Sequence, residues 1–307
     1  MARKVSSELS ELTQVFWRRV GACAASPEYA VLELVRELRK SAKAKLGQVP
    51  FDKYLELRNV MDVSYRHDFG FEGKIEPIGT TYMDGFRIVL NRSSSGSRSR
   101  YTLAHELCHT FFYELVPEIK FLARPIDPVE ERLCNIGAAE LLMPEKLVMR
   151  EAKGQPICLG TLEGLAALFR VSNEAMVLRL IQLKLWQVEF SSWIRLSNGK
   201  FAMERVMNGT IKDWEWPNTN QLEEAWTLGK PTAGHQFLTR YDNQGVLQVI
   251  PIRFDLARRQ NRICVLWGKG VTSSNANHGS LFQRRVLHPL LPEKGRTQAA
   301  RALNLEP

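Results

Sequence analysis

The stretch Arg100-Tyr-Thr-Leu-Ala-His-Glu-Leu-Cys-His109 decides how this chain is read. It holds His105-Glu106-Leu107-Cys108-His109, an HExxH pattern, in a segment of helical character from about Arg100 to Glu114. Residues four apart on a helix differ by about 40° around the axis and about 6 Å along it, so both imidazoles can face one metal ion. Glu106 lies about 60° from His109 on the same side, where it cannot easily share that coordination sphere but can reach a water at the metal. This is the donor pattern of a zinc hydrolase.

Two imidazoles are insufficient, because catalytic zinc takes three protein ligands and keeps one position open. Downstream stands Val129-Glu130-Glu131-Arg132-Leu133-Cys134-Asn135-Ile136-Gly137-Ala138-Ala139-Glu140-Leu141-Leu142-Met143-Pro144. Its small residues suit close packing against the HExxH helix, and its carboxylates lie near its start. Either Glu131 or Glu130 could supply the third ligand. Neighbours on a helix differ by about 100°, and spacing alone leaves both open.

The two segments together resemble the ImmA/IrrE family of zinc-dependent endopeptidases, over about residues 78–150. In that family the helix after HExxH carries a Glu, an Asn four residues on, small residues and a Leu-Met-Pro ending. The resemblance implies His105, His109 and Glu131 as zinc ligands and Glu106 as catalytic acid/base, with manganese as the alternative ion. Zinc would lower the pKa of water to about 7 and polarise the scissile carbonyl. The resemblance further implies cleavage of a helix-turn-helix repressor, which derepresses stress-response or mobile-element genes. For the oxyanion, Tyr82, Tyr113 and His67 are undistinguished candidates.

Outward from this core, residues 6–45 read as two helices parted near Ser26-Pro27, with apolar positions Leu9, Leu12, Val15 and Phe16 on the first. Short strands are expected at Val60 to Tyr65, Gly79 to Tyr82 and Phe86 to Leu90. A Ser-rich loop follows, whose Ser99 is placed to cap the HExxH helix. Gly154 and Pro156 suggest a boundary. Beyond it, Leu162 to Phe169 and Asn173 to Leu185 form a helix-turn-helix-like pair around Arg170-Val171-Ser172, and from Gln187 onward the pattern alternates as strands do.

The expected fold class is α+β in three parts. Residues 1–153 form a zincin-like metallopeptidase domain with a small sheet, the HExxH helix and N-terminal helices. Residues 154–186 are the helix-turn-helix-like middle, and residues 187–307 a β-rich, GAF-like sensory or docking domain. That layout resembles the radiation-response regulator type within the family. The rival is a DNA-binding transcriptional regulator with a structural or idle zinc site. In that reading Asn173, Arg179, Gln182 and Lys184 would contact nucleic acid or a partner, although Glu174 in the same helix would meet phosphate unfavourably.

Composition agrees with an ordinary folded protein. Of 307 residues, 44% are hydrophobic and 24% charged, which excludes disordered, collagenous and coiled-coil classes. The net charge of +9 falls mostly in the second half, where Arg253, Arg258, Arg259, Arg262 and Arg284-Arg285 cluster. A solvated face is the plain reading of that charge, and an anionic partner or DNA the sharper one. Cys23, Cys108, Cys134, Cys158 and Cys264 form no CxxC pair, so reduced thiols are expected. With no apolar leader at the start and no 18-residue apolar run, the expectation is a cytoplasmic protein without a membrane partner.

Overall fold

The computed structural model describes residues 26–44, 49–67, 70–94, 96–113, 127–207, 217, 219–229, 232–241, 247–268 and 270–272. The first expected helix, Cys23 and Arg284-Arg285 lie outside them. The chain is mixed α+β and divides between Pro144 and Glu145 into two compact units.

In the first unit the Ser26 hydroxyl accepts from the Tyr29 N–H (3.2 Å) and starts α1 (Pro27–Ser41). After α2 (Phe51–Leu57) come β1 (Val60–Arg66), β2 (Gly73–Pro77) and β3 (Phe86–Asn91), paired in the order β1-β3-β2. β1 runs parallel to β3 and β2 antiparallel to it. Central β3 is the most apolar strand, with Phe86, Ile88, Val89 and Leu90 all buried.

The stretch Gly79 to Tyr82, expected as a strand, is none. It leads into a 3₁₀ turn (Tyr82–Asp84), because Asp84 Oδ2 accepts from the N–H groups of Thr80 (2.9 Å) and Thr81 (2.7 Å) and from the Thr81 hydroxyl (3.0 Å). The side chain thereby occupies backbone donors that a strand would offer to a neighbour. The third strand is instead β2, whose half-exposed Gly-Lys-Ile-Glu-Pro lacks a clean alternation.

The HExxH helix is α3 (Gly96–Tyr113). It begins earlier than expected, so Ser99 lies inside it and donates to the Ser94 carbonyl (3.4 Å) rather than capping it. The next helix is α4 (Pro128–Leu142). Asp127 caps it, accepting from the N–H groups of Val129 (2.8 Å) and Glu130 (3.4 Å). At Gly137 a Cβ would lie 2.7 Å from Cys108 Sγ and 3.0 Å from Val31 Cγ1, so the absence of a side chain is what lets α1, α3 and α4 meet. From the other side, Arg39 of α1 donates to the Leu141 carbonyl near the end of α4 (2.9 Å), and Arg132 of α4 pairs with Glu28 (2.6 Å).

The second unit contains α5 (Glu145–Ala152), α6 (Leu159–Phe169) and α7 (Asn173–Gln182). α6 ends on Arg170 in the left-handed conformation, and α7 starts where the Ser172 hydroxyl accepts from the Ala175 N–H (3.2 Å). Its sheet consists of β4 (Val188–Arg195), β5 (Phe201–Met207), β6 (Thr232–Tyr241), β7 (Leu247–Arg259) and β8 (Arg262–Gly268), all antiparallel in the order β5-β4-β8-β7-β6. α8 (Thr219–Leu228) interrupts what reads in sequence as continuous strand. It packs Leu222 and Ala225 against Phe254, Leu256, Val265 and Trp267.

Strand residues alternate, so Asp255 and Arg259 face the opposite side of β7 from Phe254 and Leu256. There Asp255 accepts from the Leu159 N–H at the start of α6 (2.7 Å), and the Arg259 guanidinium holds both oxygens of Glu163, with Nη2 to Oε2 at 2.9 Å. The α6–α7 pair is thus built onto the sheet. Among the described residues, no helix is long and apolar enough to cross a membrane.

Candidate metal centre

One donor atom each from His105, His109 and Glu131 lies within 4.8 Å of the others. The two Nε2 atoms are 3.2 Å apart, His105 Nε2 is 3.2 Å from Glu131 Oε2, and His109 Nε2 is 3.4 Å from Glu131 Oε1. Ligand atoms about 2.05 Å from the centre of a tetrahedron are separated by about 3.3 Å, so the spacing fits a zinc-sized divalent ion. The donor set fits as well: two imidazoles and one carboxylate leave room for a fourth ligand. Hydrogen bonding to His105 and then to His109 holds the Glu131 carboxyl well below the usual carboxylate range, so it is an anion at neutral pH.

Helical rotation separates the two adjacent acids. Glu131 is 37% exposed and faces the Nε2 pair, whereas the Glu130 side chain is 2% exposed and accepts from His109 Nδ1 at 2.7 Å. On His105, Nδ1 meets Asn135 Oδ1 at 3.2 Å. The Tyr101 hydroxyl lies 3.2 Å from the same oxygen and 3.3 Å from the Asn135 carbonyl. Tyr101 was not singled out from sequence, and Asn135 only as part of the motif that carries the resemblance. The recoverable signal was helical period, since Tyr101 precedes His105 by four residues and Asn135 follows Glu131 by four.

Glu106 is buried, 6% exposed. Burial pushes its carboxyl above the ordinary carboxylate range, against the opposing pull of His109 and His105. The Ile75 N–H of β2 donates to it. Gly73 in the same strand permits this approach, since a Cβ there would lie 2.4 Å from Thr102 Cγ2 and 3.3 Å from Glu106 Oε1. Cys134, beside His109, is pushed up to about 11 by burial and is a thiol at neutral pH.

The remaining sequence candidates are not drawn into this cluster. Tyr82 and Tyr113 both pack on Phe86, with ring centroids at 5.6 Å and 5.4 Å, and the Arg58 guanidinium lies over the Tyr82 ring. His67 follows the end of β1. Asn173, Arg179, Gln182 and Lys184 belong to the second unit, on or just after α7. Gln182 and Lys184 are exposed and Asn173 is half-buried, while Arg179 is 6% exposed and offers little surface to a partner.

An HExxH helix whose two imidazoles meet a carboxylate from the following helix is a donor arrangement found in metal-dependent peptidases. Residues 69–180 match the Peptidase_M78 model, described as the IrrE N-terminal-like domain. The radiation response metalloprotease IrrE of Deinococcus deserti is 36% identical over 66 residues, which are 20% of this chain and 24% of that protein. The protein of the same name from Deinococcus radiodurans is 35% identical over 66 residues, 20% of each chain. The match therefore spans about a quarter or less of these curated relatives. A solved Mycobacterium tuberculosis transcriptional regulator aligns with a TM-score of 0.42 at 12% identity, over 84% of this chain and 80% of that one.

Proposed function

We propose that the protein is a zinc-dependent endopeptidase that makes a defined cut in a helix-turn-helix transcriptional repressor and so derepresses stress-response or mobile-element genes in the cytoplasm. The observation that carries this reading is the convergence of His105 Nε2, His109 Nε2 and the Glu131 carboxylate beside a buried Glu106. His105, His109 and Glu131 would hold the metal, which supplies Lewis-acid polarisation of the scissile carbonyl and acidifies water. Glu106 takes a proton from the attacking water as its oxygen adds to the carbonyl carbon. The same carboxyl then delivers that proton to the leaving amine as the C–N bond breaks. Its raised pKa suits both roles, because a carboxyl nearer neutrality both accepts and returns a proton at modest cost.

A peptide substrate is supported by β2. This strand, the outer one of its sheet among the described residues, donates its Ile75 N–H to Glu106, so an extended chain laid along its outer edge would run beside the reacting groups. The antiparallel second unit supports a GAF-like sensory or docking role, with the α6–α7 pair as its helix-turn-helix-like element.

The test is incubation of the zinc-loaded protein with helix-turn-helix repressors encoded near its own gene, beside its Glu106→Gln variant. One defined cut that requires Glu106 is the expected result. No cut, together with a salt-sensitive DNA shift, would favour the DNA-binding regulator with an idle site. Indiscriminate digestion of casein-like chains would instead indicate a general protease.

A further inference from the structure

Metal-ligating histidines need their second ring nitrogen engaged, because a free ring can turn or carry its proton on the wrong atom. Each imidazole here meets a different partner from α4. His109 Nδ1 lies 2.7 Å from Glu130 Oε1, a carboxylate that is 1% exposed. A ring that binds an ion through Nε2 carries its proton on Nδ1, and here Nδ1 points at Glu130 Oε1 while Nε2 faces His105 and Glu131. His105 Nδ1 lies 3.2 Å from Asn135 Oδ1, and the Tyr101 hydroxyl donates to the oxygens of the same Asn135. Tyr101 stands one turn before His105 on α3, so the helix that bears the ligand also carries the group that holds the partner's amide in orientation.

Resting on the metallopeptidase reading above, we infer that Glu130 and Tyr101 are positioning residues of the metal centre, Glu130 acting on His109 directly and Tyr101 on His105 through Asn135. Glu130 and Glu131 thereby divide the work of one acidic pair: one sets the tautomer, and the other reaches the ion. A buried carboxylate at this spot also offsets positive charge at the ion from within the protein, without taking a coordination position.

The experiment uses the full-length chain. Zinc affinity is measured by competition with a chromophoric chelator, and the cobalt-substituted protein is examined by visible absorption, for the parent and for Glu130→Gln, Tyr101→Phe and Glu131→Gln. Thermal unfolding of each metal-free variant verifies the fold, and both positioning variants are near-isosteric. Glu130→Gln should keep one zinc and a four-coordinate cobalt spectrum but bind about 10–100-fold more weakly. Tyr101→Phe should keep the same spectrum and weaken binding by several-fold. Glu131→Gln should change the spectrum, because a ligand is lost. Parental affinity in Glu130→Gln or in Tyr101→Phe overturns the role given to that residue. A ligand-loss spectrum in Glu130→Gln with an unchanged one in Glu131→Gln reverses the two acids and overturns the assignment. A parent that binds no zinc sinks the peptidase reading itself and the positioning roles with it, whereas failure of the variants alone leaves that reading standing.

Discussion

Glu130 and Glu131, adjacent in sequence, address opposite nitrogens of one ring: Glu130 Oε1 is 2.7 Å from His109 Nδ1, and Glu131 Oε1 is 3.4 Å from His109 Nε2. A helix turns by about 100° per residue, so two neighbours can straddle an imidazole only when the ring lies in the angle between them. That placement follows from how α3 packs against α4.

Metal removal should lower stability as well as activity. Without an ion, two imidazole nitrogens and a carboxylate 3.2–3.4 Å apart are held only by hydrogen bonds among themselves and to Glu130 and Asn135. Ligand that binds only the folded state stabilises by about 2.7 kcal/mol at a hundredfold excess over its Kd. Differential scanning fluorimetry should show a fall in Tm on chelation and recovery on adding zinc; an identical Tm in both states would contradict the site.

Glu106→Gln should retain one zinc per chain, since Glu106 is not among the converging donors, while turnover falls by about 10²-fold or more. Metal content and rate should be measured on one preparation. A variant that cleaves at the parental rate excludes Glu106 as the proton carrier.

Gly137→Ala should destabilise the first unit despite the better helix propensity of alanine, worth about 1 kcal/mol. The new methyl would lie 2.7 Å from Cys108 Sγ, and overpacking of this kind costs about 1–3 kcal/mol. Urea unfolding should show the loss, and a Cys108→Ala background should relieve most of it. Equal losses in the two backgrounds would rule out the proposed clash.

Asp127→Ala should cost about 1 kcal/mol through loss of the α4 cap and weaken zinc binding as well, because the capped turn carries both Glu130 and Glu131. Asp127→Asn, which can still accept the hydrogen bond, should restore both properties. Zinc titration of the two variants checks the coupling between cap and site.

Alkaline pH should destabilise the second unit partly through Cys264. Burial pushes this thiol from the ordinary 9.0 up to about 12, so the folded state keeps a proton that the unfolded chain gives up. The stabilisation is complete below about pH 9 and is lost as pH rises from there toward 12, by at most about 1.4 kcal/mol per pH unit. Cys264→Ala should therefore show a shallower fall in unfolding free energy between pH 8.5 and 10.5, on the order of that slope. Parallel pH profiles for variant and parent would remove Cys264 as the cause.

Helical period made much of the centre legible in sequence. His105 and His109 share a face because they lie four residues apart, and the caps Ser26 and Ser172 act on backbone groups within three residues. The Asp127 cap that starts α4 and the Met143-Pro144 that ends it rest on equally local chemistry. Tertiary packing decided the rest. Whether Glu130 or Glu131 faces the Nε2 pair depends on the rotation of α4, which Gly137 fits against Cys108 and Val31, residues on two other helices. β2 is a strand because β3 offers it a partner and Gly73 lets it approach α3, whereas Gly79 to Tyr82 has stronger local pattern but surrenders its donors to Asp84. The α6–α7 helices read alone as a separable pair, yet Asp255 and Arg259 on β7, each 96 residues downstream of the α6 residue it meets, bind α6 to the sheet. Sequence periodicity records which residues share a face of their own element; only contacts between distant segments determine what that face meets.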